Sequence, residues 1–207
     1  MKPQEFEGHR ERILSCTLCQ GMVGPPVSGT VQKSKIISVG QAPGPHEARI
    51  GHPFAYTAGR TLFKWFKSIG IEEERFRSVV NMSAVCRCFP GKNRNQKAGD
   101  RVPSREEIQN CSGFLEFEIQ KHKPELIIPI GKLAIAEVMK KEKFSLTELI
   151  GTQTRCTLYG IEFDCIPLSH PSGLNVWNNM EPGKTLVKKA LQKIKRHPAV
   201  KRELLNL

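Results

Sequence analysis

The chain has 207 residues, with 32 Lys and Arg against 20 Asp and Glu, a formal net charge of +12. Charged residues at 25% and hydrophobic ones at 39% are the usage of a folded domain, so a disordered chain is excluded, and a chain of this length buries about 70% of its extended surface. The longest apolar run, around Leu126–Ile130, is far short of the ~20 residues that cross a bilayer, and the polar stretch from Met1 to Glu11 reads as no signal peptide, which excludes a membrane protein and a secreted mini-protein.

In chain order, Lys35-Ile-Ile-Ser-Val39 is a short apolar strand running into the loop Gly40-Gln-Ala-Pro-Gly44. Thr61–Ile69 has helical spacing, with Leu62, Phe66 and Ile69 on one face. Ser78–Val85 reads as a second strand. Ser104, with Glu107 at the capping-box distance, starts a helix that runs to about Lys121. Glu125–Ile130 is a third strand, and Gly131 opens a helix through Met139. Phe163–Leu168 is a fourth strand entering His170-Pro-Ser-Gly-Leu-Asn175, and Lys184–Arg196 closes the chain as a helix with Leu186, Ala190 and Ile194 inward. There is no internal repeat and no low-complexity segment. Strands alternating with helices predict an α/β fold, a mostly parallel sheet covered by helices on both faces. Ligands bind such sheets at the carboxyl ends of strands, so the loops after Val39, Val85 and Leu168 are the ones to watch.

The positive excess favours a polyanion, because a basic surface attracts phosphates and releases their condensed counterions. Nucleic acid is the leading partner, against the plainer alternative of a solvated basic face. Seven cysteines is an odd number, so disulfides cannot use them all, and a reduced, cytoplasmic setting is expected in which clustered thiols bind metal. Cys16-Thr-Leu-Cys19 is a CxxC pair, and Cys88 and Cys111 flank a basic loop. Four such thiolates suit Zn²⁺ or a [4Fe–4S] cluster, and spacing alone does not choose between them. Cys86 competes with Cys88 for the third position, while Cys156 and Cys165 sit in strand-like apolar surroundings as small core residues.

Two loops carry the remaining chemistry. The glycines of Gly40-Gln-Ala-Pro-Gly44 let backbone approach a ligand closely, and Phe54 in Gly51-His-Pro-Phe54 can stack on a flat ring, or simply fill a core. The GxGxxG spacing of a dinucleotide site is absent. His170, after the fourth strand, can give a hydrogen bond or proton to a developing anion, or can be an ordinary loop histidine. Leu174 and Trp177 in that loop read as apolar wedges that enter a base stack when DNA is bent or a base is flipped.

Together these motifs resemble the iron–sulfur uracil-DNA glycosylases, families four and five. Gly40-Gln-Ala-Pro-Gly44 followed by Glu47, Arg49, Gly51, Pro53-Phe54 and Ala58-Gly59 is similar to their first motif. Cys16-x-x-Cys19 resembles their leading ligand pair, and Ser83-Ala-Val-Cys-Arg-Cys88-Phe-Pro90 their third-ligand segment, which selects Cys88 over Cys86. Pro103 to Cys111 resembles the fourth-ligand segment, and His170-Pro-Ser-x-x-Asn175 the second catalytic motif. The similarity spans about Cys16 to Asn175. It implies a single domain over residues 1–207, a three-layer α/β/α sandwich with a four-stranded parallel sheet, and a structural [4Fe–4S] cluster on Cys16, Cys19, Cys88 and Cys111, with Zn²⁺ as the lesser alternative.

The chain departs from these families in several places. Gln41 stands where family four resemblance puts a glutamate, Ala84 where it puts the base-discriminating asparagine, and Tyr56 replaces a glycine. Family five's aspartate falls at or near Thr57, and the water-activating aspartate of family one falls at Ala42, although Gln41 matches family one's opening. The enlarged basic loop Lys92–Arg101 contains no histidine, the residue with which one related group traps DNA covalently.

The resemblance implies hydrolysis of a pyrimidine N-glycosidic bond in DNA after base flipping, leaving an abasic site. His170 and the Gln41 backbone amide would donate to the base O2, and Phe54 would stack on the base. Gly40, Ala42, Tyr56, Ala84, Ser172 and Asn175 would line the pocket. The Gln41 side chain or Glu47 would hold the water, Glu47 having the alternative of a surface ion pair with Arg49. Lys92 and Arg94 would meet phosphates of single- or double-stranded DNA, with Leu174 and Trp177 as wedges, in a monomer with no membrane role. Ala84 removes a reading group and adds space, which points to a pocket tolerant of modified pyrimidines, including bulky phage-type bases in antiviral defence. The rivals are a DNA-binding damage sensor without catalysis and a small cysteine–metal structural protein.

Overall fold

The computed structural model describes residues 3–31, 33–93, 99–173 and 175–207. Five strands form one sheet: β1 (Ile36–Gly40), β2 (Asn81–Ala84), β3 (Leu126–Pro129), β4 (Thr154–Leu158) and β5 (Ile161–Cys165), in the order β2-β1-β3-β5-β4. All neighbours are parallel except β4, which pairs antiparallel with β5. The predicted four parallel strands are all present, and β4 is an added edge. Its hairpin turns on Tyr159 and Gly160, both with positive φ (51° and 75°), which matches the right-handed twist of the strands it joins.

The helices are α1 (Pro3–Leu14), α2 (Pro45–Ile50), α3 (Thr57–Lys67), α4 (Glu73–Val79), α5 (Arg105–His122), α6 (Lys132–Met139), α7 (Leu146–Leu149) and α8 (Gly183–Arg196), followed by a short helical turn, Pro198–Val200. Ser104 caps α5 as its spacing predicts: its hydroxyl accepts from Glu107 N while the Glu107 carboxylate accepts from Ser104 N. Ser78 and Val79 end α4 rather than opening β2. Along β1 and β3, alternate residues face opposite layers. Ile36 and Ile128 join a core with α3, α4 and α8, whereas Ile37, Val39 and Ile127 join one with α5 and α6. The sheet is therefore covered on both faces, the predicted sandwich. On α8 the inward set is Val187, Ala190, Leu191 and Ile194, with Leu186 only partly buried. Among the described residues no helix is long and apolar enough to cross a membrane.

Candidate functional site

The loops after β1, β2 and β5 meet at the carboxyl edge of the sheet around a cavity of about 620 Å³. Gly40, Gln41, Ala42 and Glu47 line it from the first loop, Ala84 from the second, and His170 and Ser172 from the third. Phe54, Tyr56 and Lys92 complete the predicted set at the cavity.

Phe54 sits in the left-handed region (φ 51°), a conformation a phenylalanine adopts only when its surroundings hold it there. Two contacts do so. Arg77 donates from Nη1 to Pro53 O at 2.9 Å and from Nη2 to Phe54 O at 3.0 Å. Gly59 gives the Phe54 carbonyl room, since a Cβ there would lie 1.7 Å from that oxygen. The ring lies within van der Waals range of the space beside Gly40, which makes it a flat wall of the cavity.

Glu47 is buried and does not pair with Arg49. Its Oε2 accepts from Gly44 N at 3.1 Å, closing the first turn of α2, and a Cβ on Gly44 would come within 2.7 Å of that oxygen. Arg49 instead meets His46. His46 also stacks on Tyr56, ring centroids 3.7 Å apart, and both rings line the cavity.

His170 is held from several sides. Asn175 and Asn178 both donate side-chain N–H groups to its carbonyl, at 2.9 and 2.8 Å, and Ser172 N donates to Nδ1 at 3.3 Å. Burial pushes the His170 pKa down, partly opposed by the Asp100 carboxylate. A neutral imidazole whose Nδ1 accepts carries its proton on Nε2, so the ring presents a hydrogen-bond donor.

Two predicted residues lie elsewhere, and two more fall outside the described residues. Asn175 stands behind His170 as its backbone brace rather than among the cavity-lining residues. Trp177 is half-buried in a 3₁₀ turn, its indole against Gly183 at the start of α8 and packed on the core, so the expectation of a surface wedge does not hold. The exposed apolar side chains of that turn are Val176 and Met180. Leu174 and Arg94 lie outside the described residues.

A second cavity of about 390 Å³ is lined by Cys16, Cys19, Cys88 and Cys111. Asn110 Nδ2 donates to Cys19 Sγ at 3.5 Å. The Cys88 thiol is pushed up to about 12, first by burial and then by the neighbouring Cys111, Cys16 and Cys19. Among the described residues no three His, Cys, Asp or Glu side chains close on a single ion. Four cysteines lining one cavity are a donor set that suits either Zn²⁺ or a [4Fe–4S] centre. Cys86 is fully buried, outside this cavity, and its thiol interacts with that of Cys111, which raises the Cys86 pKa and lowers that of Cys111.

The sequence reading missed three residues at the first cavity: His46, Asp100 and Arg87. His46 stands two residues beyond Gly44, a usable signal. Arg87 looks like an ordinary exposed cation beside a cysteine, yet it is 1% exposed, and only the fold reveals that.

A family model described as the uracil DNA glycosylase superfamily matches residues 26–195. A type-4 uracil-DNA glycosylase of Thermotoga maritima is 30% identical over 167 residues, 79% of this chain and 80% of that protein. One of Sulfurisphaera tokodaii is 29% identical over 174 residues, 81% of this chain and 74% of that protein. A type-5 uracil-DNA glycosylase of Pyrobaculum aerophilum is 29% identical over 160 residues, 69% of this chain and 63% of that protein.

Proposed function

The chain belongs to the uracil DNA glycosylase superfamily, and from that premise we propose that this DNA glycosylase hydrolyses the N-glycosidic bond of uracil or a modified pyrimidine flipped out of DNA. The observation that carries the reading is the meeting of His170, Gln41 and Phe54 at one cavity, with His170 half-buried and braced as a neutral Nε2 donor. As the bond from C1′ to the base nitrogen breaks, the electron pair leaves with the base and negative charge gathers on O2. A donor preorganised at that oxygen lowers the barrier most, and a neutral imidazole does so without needing to transfer its proton. The Gln41 backbone amide is the second donor, and Phe54 stacks on the ring.

Water adds to the electrophilic C1′, held by the Gln41 side chain or by Glu47. The carboxylate of Glu47 already accepts from Gly44 N, which fixes one oxygen and leaves the other to orient a water. Lys92, ion-paired with Asp100 at 2.8 Å at the cavity, is in reach of the phosphate flanking the flipped nucleotide. The cavity is far larger than one pyrimidine ring, and Ala84 in its wall supports tolerance of substituents on the base.

The four cysteines lining the second cavity, a donor set such a cluster uses, support a [4Fe–4S] centre on Cys16, Cys19, Cys88 and Cys111. When bound it would supply a structural cross-link between the segment after α1, the loop after β2 and α5, and the chemistry above runs on the chain's own residues. The whole chain is read as one domain acting as a monomer on DNA.

The test is excision from labelled oligonucleotides carrying uracil, 5-hydroxymethyluracil, hypoxanthine and modified cytosines, each followed by alkaline strand cleavage. Abasic sites from at least one pyrimidine are expected. Tight, salt-dependent DNA binding with no cleavage of any base would instead make the protein a damage sensor.

A further inference from the structure

Arg87 lines both cavities. Its guanidinium has five N–H donors, cannot shed its charge, and here is buried. Nη2 donates to Ser83 Oγ at 2.8 Å and to Glu118 Oε2 at 2.9 Å. Glu118 is itself fixed, its Oε1 meeting His9 Nε2 and Thr30 Oγ1, each at 3.3 Å. The guanidinium is thus clamped along one edge. Its Nε is buried without a hydrogen-bond partner, and Nη1 meets none among the described residues. Buried donors left unpaired are costly, so native structures rarely leave them without an acceptor. Nε is shut off from solvent, whereas Nη1 is not among the shut-off atoms, so Nη1 is the donor that an acceptor entering the base cavity can meet.

We propose that Arg87 is a specificity residue that donates from Nη1 to the 4-oxo group of the flipped base, so that the substrates are pyrimidines with oxygen at C4, 5-substituted ones included, and 4-amino pyrimidines are rejected. The inference rests on the glycosylase reading above. A guanidinium only donates, so against O4 it completes a hydrogen bond, while against a cytosine amino group two donors face each other and neither is satisfied. Ala84 leaves room for the 5-substituent, and Arg87 supplies the discrimination that the alanine cannot.

The experiment compares excision efficiency for uracil and for 2-pyrimidinone, which has hydrogen at C4, in otherwise identical oligonucleotides. It uses the full chain with its bound metal. Arg87→Met alone would strand the Glu118 carboxylate, so the variant is Arg87→Met/Glu118→Gln. Arg87→Lys accompanies it, because a lysine that keeps Glu118 has its single ammonium engaged there. Relative to wild type, the preference for uracil over 2-pyrimidinone should fall by about 10- to 100-fold in either folded variant, through loss on uracil alone, with iron content and visible absorption unchanged. A preference that survives in the folded variants overturns the proposal, and if iron and absorption are lost at the same time, Arg87 serves the cysteine centre instead. Wild-type excision of cytosine derivatives as readily as uracil overturns it as well. Wild type that excises neither uracil nor any other base fails the glycosylase reading itself, and this inference falls with it.

Discussion

The base cavity and the cysteine cavity share Arg87 but are built in opposite ways. The first is assembled from loops at the ends of β1, β2 and β5, and each functional side chain is fixed by near neighbours: His170 by Asn175, Asn178 and Ser172, Phe54 by Arg77 and Gly59, Glu47 by Gly44. The second draws on segments distant in sequence and on little regular structure: Cys16 and Cys19 follow α1, Cys88 lies in the loop after β2, and only Cys111 sits on a long helix. The sheet preorganises one cavity, whereas the thiols of the other depend on whatever they jointly hold. Chemistry and structural support should therefore separate on mutation.

The largest effect that would break or sharpen this contrast is loss of a thiol. Cys88→Ser should remove most of the iron and visible absorption of the proposed cluster, because the site is not preformed in the unfolded chain and the binding energy is folding energy. Cys86→Ser, outside the cavity, should keep both and cost about 1 kcal/mol by placing a more polar hydroxyl in a fully buried position. Iron analysis and spectra of the two variants decide it, and equal iron loss in both would erase the distinction between these cysteines.

Acid should act on the cysteine half through His122, at the end of α5 and stacked on Phe6 of α1. Burial lowers its pKa to about 4, Nδ1 accepts from Ser34 N, and Nε2 has no partner. Its folded pKa lies below the unfolded value of about 6.5. The unfolded chain therefore binds the proton first, and the contribution is whole above pH 6.5 and declines as pH falls towards 4. The loss is on the order of 3 kcal/mol. Urea unfolding at pH 7.5 and 4.5 should show it, with a shallower acid limb in His122→Phe.

The smallest effect is at the rim of the base cavity. Lys92→Ala should weaken DNA binding evenly across sequences and reduce the salt-dependence slope by about 1, as expected for one phosphate contact. An unchanged slope would leave Lys92 as only the partner of Asp100.

The layered α/β fold was legible because β1 and β3 are short apolar runs, because β5 runs into the apolar Cys165-Ile-Pro-Leu168, and because Ser104 and Glu107 are a helix start written in two residues. The edge strand β4 was not, since its exposed face is polar and its pairing depends on the Tyr159-Gly160 turn. The amino-terminal helix α1 was also missed, its polar residues masking an inward stripe of Phe6, His9 and Ile13. At the site, local motifs gave Gly40 to Glu47 and His170, which the fold brings to one cavity. Trp177 was misread because polar neighbours suggest exposure, whereas Gly183, six residues on, makes room for its ring. Arg87 was missed because its burial depends on Glu118, on a helix distant in sequence.

The measurement closest to the central claim is the single-turnover excision rate of His170→Ala on a uracil oligonucleotide, with DNA affinity and iron content measured on the same preparation. A fall of about 10²- to 10³-fold in rate, at unchanged affinity and iron, is the predicted result, the cost of removing one preorganised donor from the departing base. A rate equal to wild type would contradict the account, and the base cavity would then not be where the bond is broken.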